Sequence, residues 1–105
     1  IMNADGSNKQ QVTNNGASNF SPFFHPDGHR VIFSFYVDTR NASGRPEFHL
    51  YLVNEDGSGQ ERLTFDGQFN SFPMFSPDGK TLVWVSDRHA KEPGEFNVFL
   101  ADWVP

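Results

Sequence analysis

Residues 75–85 read Phe75-Ser76-Pro77-Asp78-Gly79-Lys80-Thr81-Leu82-Val83-Trp84-Val85, and residues 24–36 read Phe24-His25-Pro26-Asp27-Gly28-His29-Arg30-Val31-Ile32-Phe33-Ser34-Phe35-Tyr36. In both, a Pro-Asp-Gly turn leads into a β-branched and aromatic run that is apolar on both alternating faces. Such a run is a strand covered on both sides. Asp and Gly between strands are the residues that tight hairpins require. The two stretches lie 51 residues apart, and at that offset residues 3–36 match residues 54–87 at 12 of 34 positions. Most matches are turn residues, among them Asp5/Asp56, Gly6/Gly57, Gly16/Gly67, Asn19/Asn70 and Pro22/Pro73. Beyond residue 36 the offset falls to 48, so that Phe48, Tyr51 and Leu52 align with Phe96, Phe99 and Leu100. An internal period of this length decides the fold before any single element does.

Working outward, each copy resolves into four short strands: a (about 19–25 and 70–76), b (30–36 and 81–86), c (48–54 and 96–102) and d (about 8–13 and 59–64). Pro22 and Pro73 fall inside strand a, where a missing N–H is tolerated only at an edge. Strand d is polar enough for the opposite edge. No segment has helical period. Four-stranded antiparallel meanders repeating every 40–50 residues are β-propeller blades, so the expected class is all-β, a β-propeller. One complete blade spans about 19–64, and a second is split between 70–102 and the N-terminal strand 8–13. Two blades do not close a ring, which takes at least ~4. The chain is therefore expected to form part of a larger, six-bladed ring, either as a piece of a longer propeller or as a head-to-tail homotrimer.

Composition agrees with a folded, acidic domain. Leu, Ile, Val and Phe make up 27 of 105 residues, above the ~20% below which chains tend to disorder. A net charge of -5 with no basic stripe excludes non-specific binding to nucleic acid or anionic membranes. The longest wholly apolar run, Leu82 to Val85, is far too short to span a bilayer, so no membrane insertion is expected. The absence of cysteine excludes disulfides and thiolate metal sites. With no initiator Met and no leader pattern, the chain reads as a mature product or an excised piece.

Phe75-Ser76-Pro77-Asp78-Gly79-Lys80, followed by strand b, and Val53-Asn54-Glu55-Asp56-Gly57-Ser58 ahead of Leu63-Thr64 resemble the repeat of TolB-like propellers. The first copy matches through Met2 to Ser7 and Phe24 to Gly28, departing at His25, where the repeat usually has serine. The resemblance implies a non-catalytic module that binds a protein or peptide, in the periplasm or otherwise exported. Similar blades also gate prolyl-oligopeptidase-type serine peptidases and occur in carbohydrate-active propellers, so those readings stand as alternatives.

In a meander blade the a–b and c–d links share one end, and the b–c and d–a links share the other. The first end carries only Asp-Gly turns. Long polar loops on a rigid scaffold are where binding residues gather, so a partner is expected at the other end or the channel mouth. The candidates there are Asp38, Arg40, Arg45, Asp87, Arg88 and His89, set against solvated loop charges that pair among themselves. Asn19 and Asn70 occupy one repeat position on the innermost strand and are candidate ligand groups, with an Asx-turn role as the structural alternative. Phe20 and Phe69 near the same rim offer stacking surfaces or core packing. His25 and His29 flank a hairpin but have no third ligand in view, so no metal is expected. The stretch 54–65 superficially resembles a calcium loop, but Phe65 stands where a bidentate Glu belongs. No nucleophile elbow or phosphate loop is present. No catalytic residue and no cofactor is expected.

Overall fold

The β-branched runs form strands wherever a turn with left-handed backbone lets the chain reverse. Gly28 and Gly79 of the Pro-Asp-Gly turns have φ of 77° and 73°, a region closed to most side chains. Each turn is fastened by its aspartate, Asp27 accepting the His29 N–H and Asp78 the Lys80 N–H. The structure, a computed structural model, describes residues 1–37 and 46–104.

Seven strands follow in chain order: β1 (Asn19–Phe24), β2 (Arg30–Val37), β3 (Glu47–Asn54), β4 (Glu61–Arg62), β5 (Asn70–Phe75), β6 (Thr81–Ser86) and β7 (Asn97–Asp102). They make two antiparallel sheets, β1-β2-β3-β4 and β5-β6-β7. The predicted a, b and c strands are thus present in both copies within a residue or two. Strand d shrinks to Glu61–Arg62 in the first sheet, and residues 8–13 form no strand. Instead, residues 1–3 and 7–10 fold into a small hairpin through the Asn3 N–H to Ser7 O and Gln10 N–H to Ile1 O bonds. Beyond this hairpin residues 8–13 build no ladder, because a strand needs a sheet neighbour and they pair with none of the seven strands.

Strand a carries an irregularity at the same place in both sheets. The register shifts between Phe20 and Phe23 and again between Ser71 and Met74. Ser21 and Phe72, each preceding its proline, have φ of 53° and 55°. The proline cannot donate to the ladder, and a bulge absorbs the missing bond.

The two sheets stack face to face. Ile32, Leu50 and Leu52 from the first meet Phe75, Leu82 and Trp84 from the second, with Phe23, Leu63, Phe99 and Trp103 packed around them. Ile32 and Leu50 are wholly buried, each contributing about 1.5–3 kcal/mol of hydrophobic stabilisation. At the loop end a parallel bridge, Phe48 to Phe69, ties the sheets together.

Candidate functional site

The loop end of the inter-sheet junction is polar inside and aromatic outside. Its buried part centres on Asn70, which is fully buried at the start of β5. The Asn70 Nδ2 donates to Asp66 O at 3.0 Å and across the junction to Phe48 O at 3.2 Å. Its Oδ1 accepts from Trp84 Nε1 at 3.2 Å, and because indole only donates, this contact fixes the amide orientation. His49 is also fully buried, with Nδ1 3.0 Å from Thr64 Oγ1 and 3.2 Å from Asn70 Nδ2. Thr64 Oγ1 already accepts the Leu50 N–H, which leaves its proton for His49. The network therefore assigns His49 Nδ1 as acceptor and puts the ring proton on Nε2, facing Glu47 Oε1 at 3.5 Å. Burial, with Arg62 and Arg88 nearby, lowers the His49 pKa and keeps the ring neutral, outweighing the opposing pull of Glu47.

Outside this network runs a line of rings. Phe20 contacts Phe48 at 5.5 Å between centroids, Phe48 contacts Phe69 at 5.6 Å, and Phe69 contacts Phe96 at 5.2 Å, all edge to face. The line crosses from one sheet to the other. Beside it lies a groove of about 580 Å³ whose walls include Pro46, Phe48, Phe69, Lys91, Pro93 and Phe96. Phe96 is half exposed. A groove of this size with apolar walls and a few polar groups suits an extended ligand.

The candidate residues separate in space. Phe69 and Asp87 line the groove, and Phe20 joins its aromatic line. Asp87 Oδ1 accepts the Gln68 and Phe69 N–H groups at 2.8 and 3.0 Å and so shapes the d–a loop from behind. Arg88 lies over the Trp84 and Phe99 rings at 5.2 and 5.7 Å and reaches back to Ser86 Oγ and Asn70 Oδ1. His89 is exposed, in left-handed backbone with φ 58°. Asn70 bridges the sheets, whereas the Asn19 side chain is exposed and bonds to Asn15 and Ala17 in its own loop. Asp38, Arg40 and Arg45 lie outside the described residues. His49 and Thr64 were not among the candidates. Their signal was a polar residue inside an apolar strand, and its meaning depends on a partner 15 residues away.

At the Asp-Gly end, His25 and His29 take different partners. His25 is buried against Phe75 and Trp103 and accepts the Asp27 N–H, while His29 faces Glu55. Asp27 is held at a pKa of about 2 by the His29 N–H and by Arg30. No cluster of metal-ligating residues occurs among the described residues.

The family model of the TolB beta propeller domain matches residues 1–103. The chain belongs to that family. A solved structure from Agrobacterium tumefaciens assigned to TolB superposes with a TM-score of 0.72 at 26% identity, covering 96% of this chain and 35% of the other. An uncharacterised protein of Agrobacterium fabrum is 31% identical over 85 residues, 81% of this chain and 27% of its own length. Dipeptidyl-peptidase 5 of Porphyromonas gingivalis is 30% identical over 93 residues, 83% of this chain and 13% of that protein. This TolB-type chain thus spans well under half of each relative. The likeness makes the two sheets propeller blades: β1–β4 form one, and β5–β7 form three strands of the next.

Proposed function

We propose that this pair of TolB-type blades is a non-catalytic interaction module that takes a peptide segment of a protein partner in the loop-end groove. The observation that carries the reading is the aromatic line Phe20–Phe48–Phe69–Phe96 bordering an open groove. Rigid rings with few rotatable bonds bind at low entropic cost and dominate protein interfaces. The polar residues behind them, Asn70, Asp87 and Arg88, are engaged in holding loops, which supports a recognition surface over a reacting centre. A periplasmic or otherwise exported location belongs to the same proposal and rests on the family. Screening the chain on a peptide array, then titrating the strongest ligand, tests the reading. Phe96→Ala is expected to weaken binding about fivefold or more, the ~1 kcal/mol of an aromatic anchor, with unchanged circular dichroism. An array without ligands, or affinity indifferent to Phe96, rejects it.

The likeness to dipeptidyl-peptidase 5 favours a second reading, a blade pair from a propeller that gates a serine peptidase. The groove then selects substrate peptides for a catalytic domain elsewhere. Chromogenic peptide substrates separate both readings from an enzyme, since turnover by this chain alone contradicts each of them.

A further inference from the structure

Six pairs in the chain join an aspartate or asparagine to a following glycine, and the structure treats them differently. In Asp5-Gly6, Asp27-Gly28, Asp56-Gly57 and Asp78-Gly79 the glycine N–H donates back across a tight turn, to the carbonyls of Asn3, His25, Asn54 and Ser76 at 2.8–2.9 Å. Each of these aspartates also accepts the N–H two residues on. The remaining pairs, Asn15-Gly16 and Asp66-Gly67, lie in the two d–a loops, and there the glycine N–H bonds to no described residue.

That difference has a chemical meaning. A backbone nitrogen attacks the side-chain carbonyl of the residue before it when its proton can leave and its peptide plane can turn, and a hydrogen-bonded turn N–H resists both. Glycine also removes the Cβ that hinders the approach. Gly16 is exposed, and a Cβ built on it meets nothing within 4 Å. At Gly67 the corresponding position is 2.8 Å from Asp87 Oδ1, and that carboxylate holds the next two N–H groups, of Gln68 and Phe69. The electrophiles differ too. Asp66 offers a carboxylate, a poor target for a nucleophile, whereas Asn15 offers a neutral amide. The Asn15 Oδ1 accepts from Asn19 Nδ2 at 3.0 Å and from the Ala17 N–H at 3.3 Å, two donors placed where negative charge collects when the carbonyl is attacked. The position is open even where a blade packs alongside, since its repeat equivalent Asp66, next to the inter-sheet junction, is exposed.

We propose that Asn15 is a self-modifying residue, converted through a succinimide with Gly16 to aspartate and isoaspartate. The Gly16 nitrogen bonds to Asn15 Cγ, the Cγ–Nδ2 bond breaks, and the Gly16 amide proton departs with Nδ2 as ammonia. Water then opens the ring. Cleavage of the new Cγ–N bond leaves aspartate, and cleavage of the original main-chain bond leaves isoaspartate, with the chain rerouted through Cγ. Either product loses the Nδ2 that donates to Asn19 Oδ1 at 2.8 Å and puts a negative charge on the loop leading into β1. The aspartate form gives the first d–a loop the Asp-Gly pair of the second.

Incubating the chain at neutral pH and mapping its tryptic peptides tests the proposal. The peptide 10–30 is expected to change from amide to acid at Asn15 ahead of every other asparagine, Asn14 included. Isoaspartate is expected there and not at the four Asp-Gly turns, until urea unfolds them. Gly16→Ala, which keeps the asparagine and has room for its Cβ, is expected to slow conversion roughly tenfold or more, at least ~1.4 kcal/mol on the barrier, with unchanged circular dichroism. Gly67→Ala is expected to leave the Asn15 rate unchanged. An intact amide at Asn15, equal conversion at another asparagine, a rate indifferent to Gly16→Ala, or isoaspartate accumulating equally at the turns of the folded chain overturns the proposal.

Discussion

Asn70 and Asn19 occupy one repeat position, yet one side chain joins two sheets and the other only shapes its own loop. Removing the Asn70 amide leaves Trp84 Nε1 without its partner inside the junction and takes away the side-chain bonds that tie β5 to the Phe48 and Asp66 carbonyls, and an unsatisfied buried group costs about 1–3 kcal/mol. Asn70→Ala is therefore expected to destabilise by about 2–4 kcal/mol in urea unfolding. Asn19→Ala, losing exposed bonds to Asn15 and Ala17, is expected to stay within ~1 kcal/mol. Equal losses would contradict the bridging role. The repeat made the shared position legible in the sequence. What each asparagine does was hidden, because Phe48, which receives the Asn70 amide, lies 22 residues away on another sheet.

Among the elements, the d–a loops differ in a way that one methyl group exposes. Gly16 and Gly67 have φ of 73° and 77°, so alanine at either meets the left-handed penalty of ~1–2 kcal/mol. A Cβ at Gly16 meets nothing within 4 Å, whereas at Gly67 it falls 2.8 Å from Asp87 Oδ1 and 3.3 Å from Arg88 N. Asp87 is pinned by the two N–H groups it accepts and cannot withdraw freely. Gly67→Ala is thus expected to lower the thermal midpoint clearly more than Gly16→Ala, and equal shifts would show that the loop yields. Strands and hairpins were readable from the sequence because Pro-Asp-Gly turns and two-faced apolar runs are local signals. The expected strand at 8–13 has the right residues, but a ladder needs a neighbour that no local signal supplies. His49 was unreadable for the same reason, its meaning residing in Thr64 and Asn70.

For the whole molecule, acid acts on the junction and on the turns in separate steps. Neutral His49 accepts from Thr64 with the Asn70 amide nitrogen also beside its Nδ1, and protonation turns that acceptor into a donor facing these two donor groups. Because its pKa is lowered from 6.5, the unfolded chain takes up the proton first. Stability is then full above about pH 6.5 and declines as pH falls below it. Asp27, lowered from 3.8 to about 2, contributes stability that is lost between those values, and Asp5, Asp56 and Asp78 shift in the same direction. Urea midpoints against pH are expected to fall in two stages, and His49→Gln to remove the upper one. A variant that keeps both stages would place the upper titration elsewhere. The proline bulges have a consequence at this scale too. With Pro22 and Pro73 beside Ser21 and Phe72 in left-handed backbone, β1 and β5 offer a broken row of donors along their free edges. A stray strand finds no continuous template there. The same proline that shortens the ladder thus guards that edge against growing into a fibre.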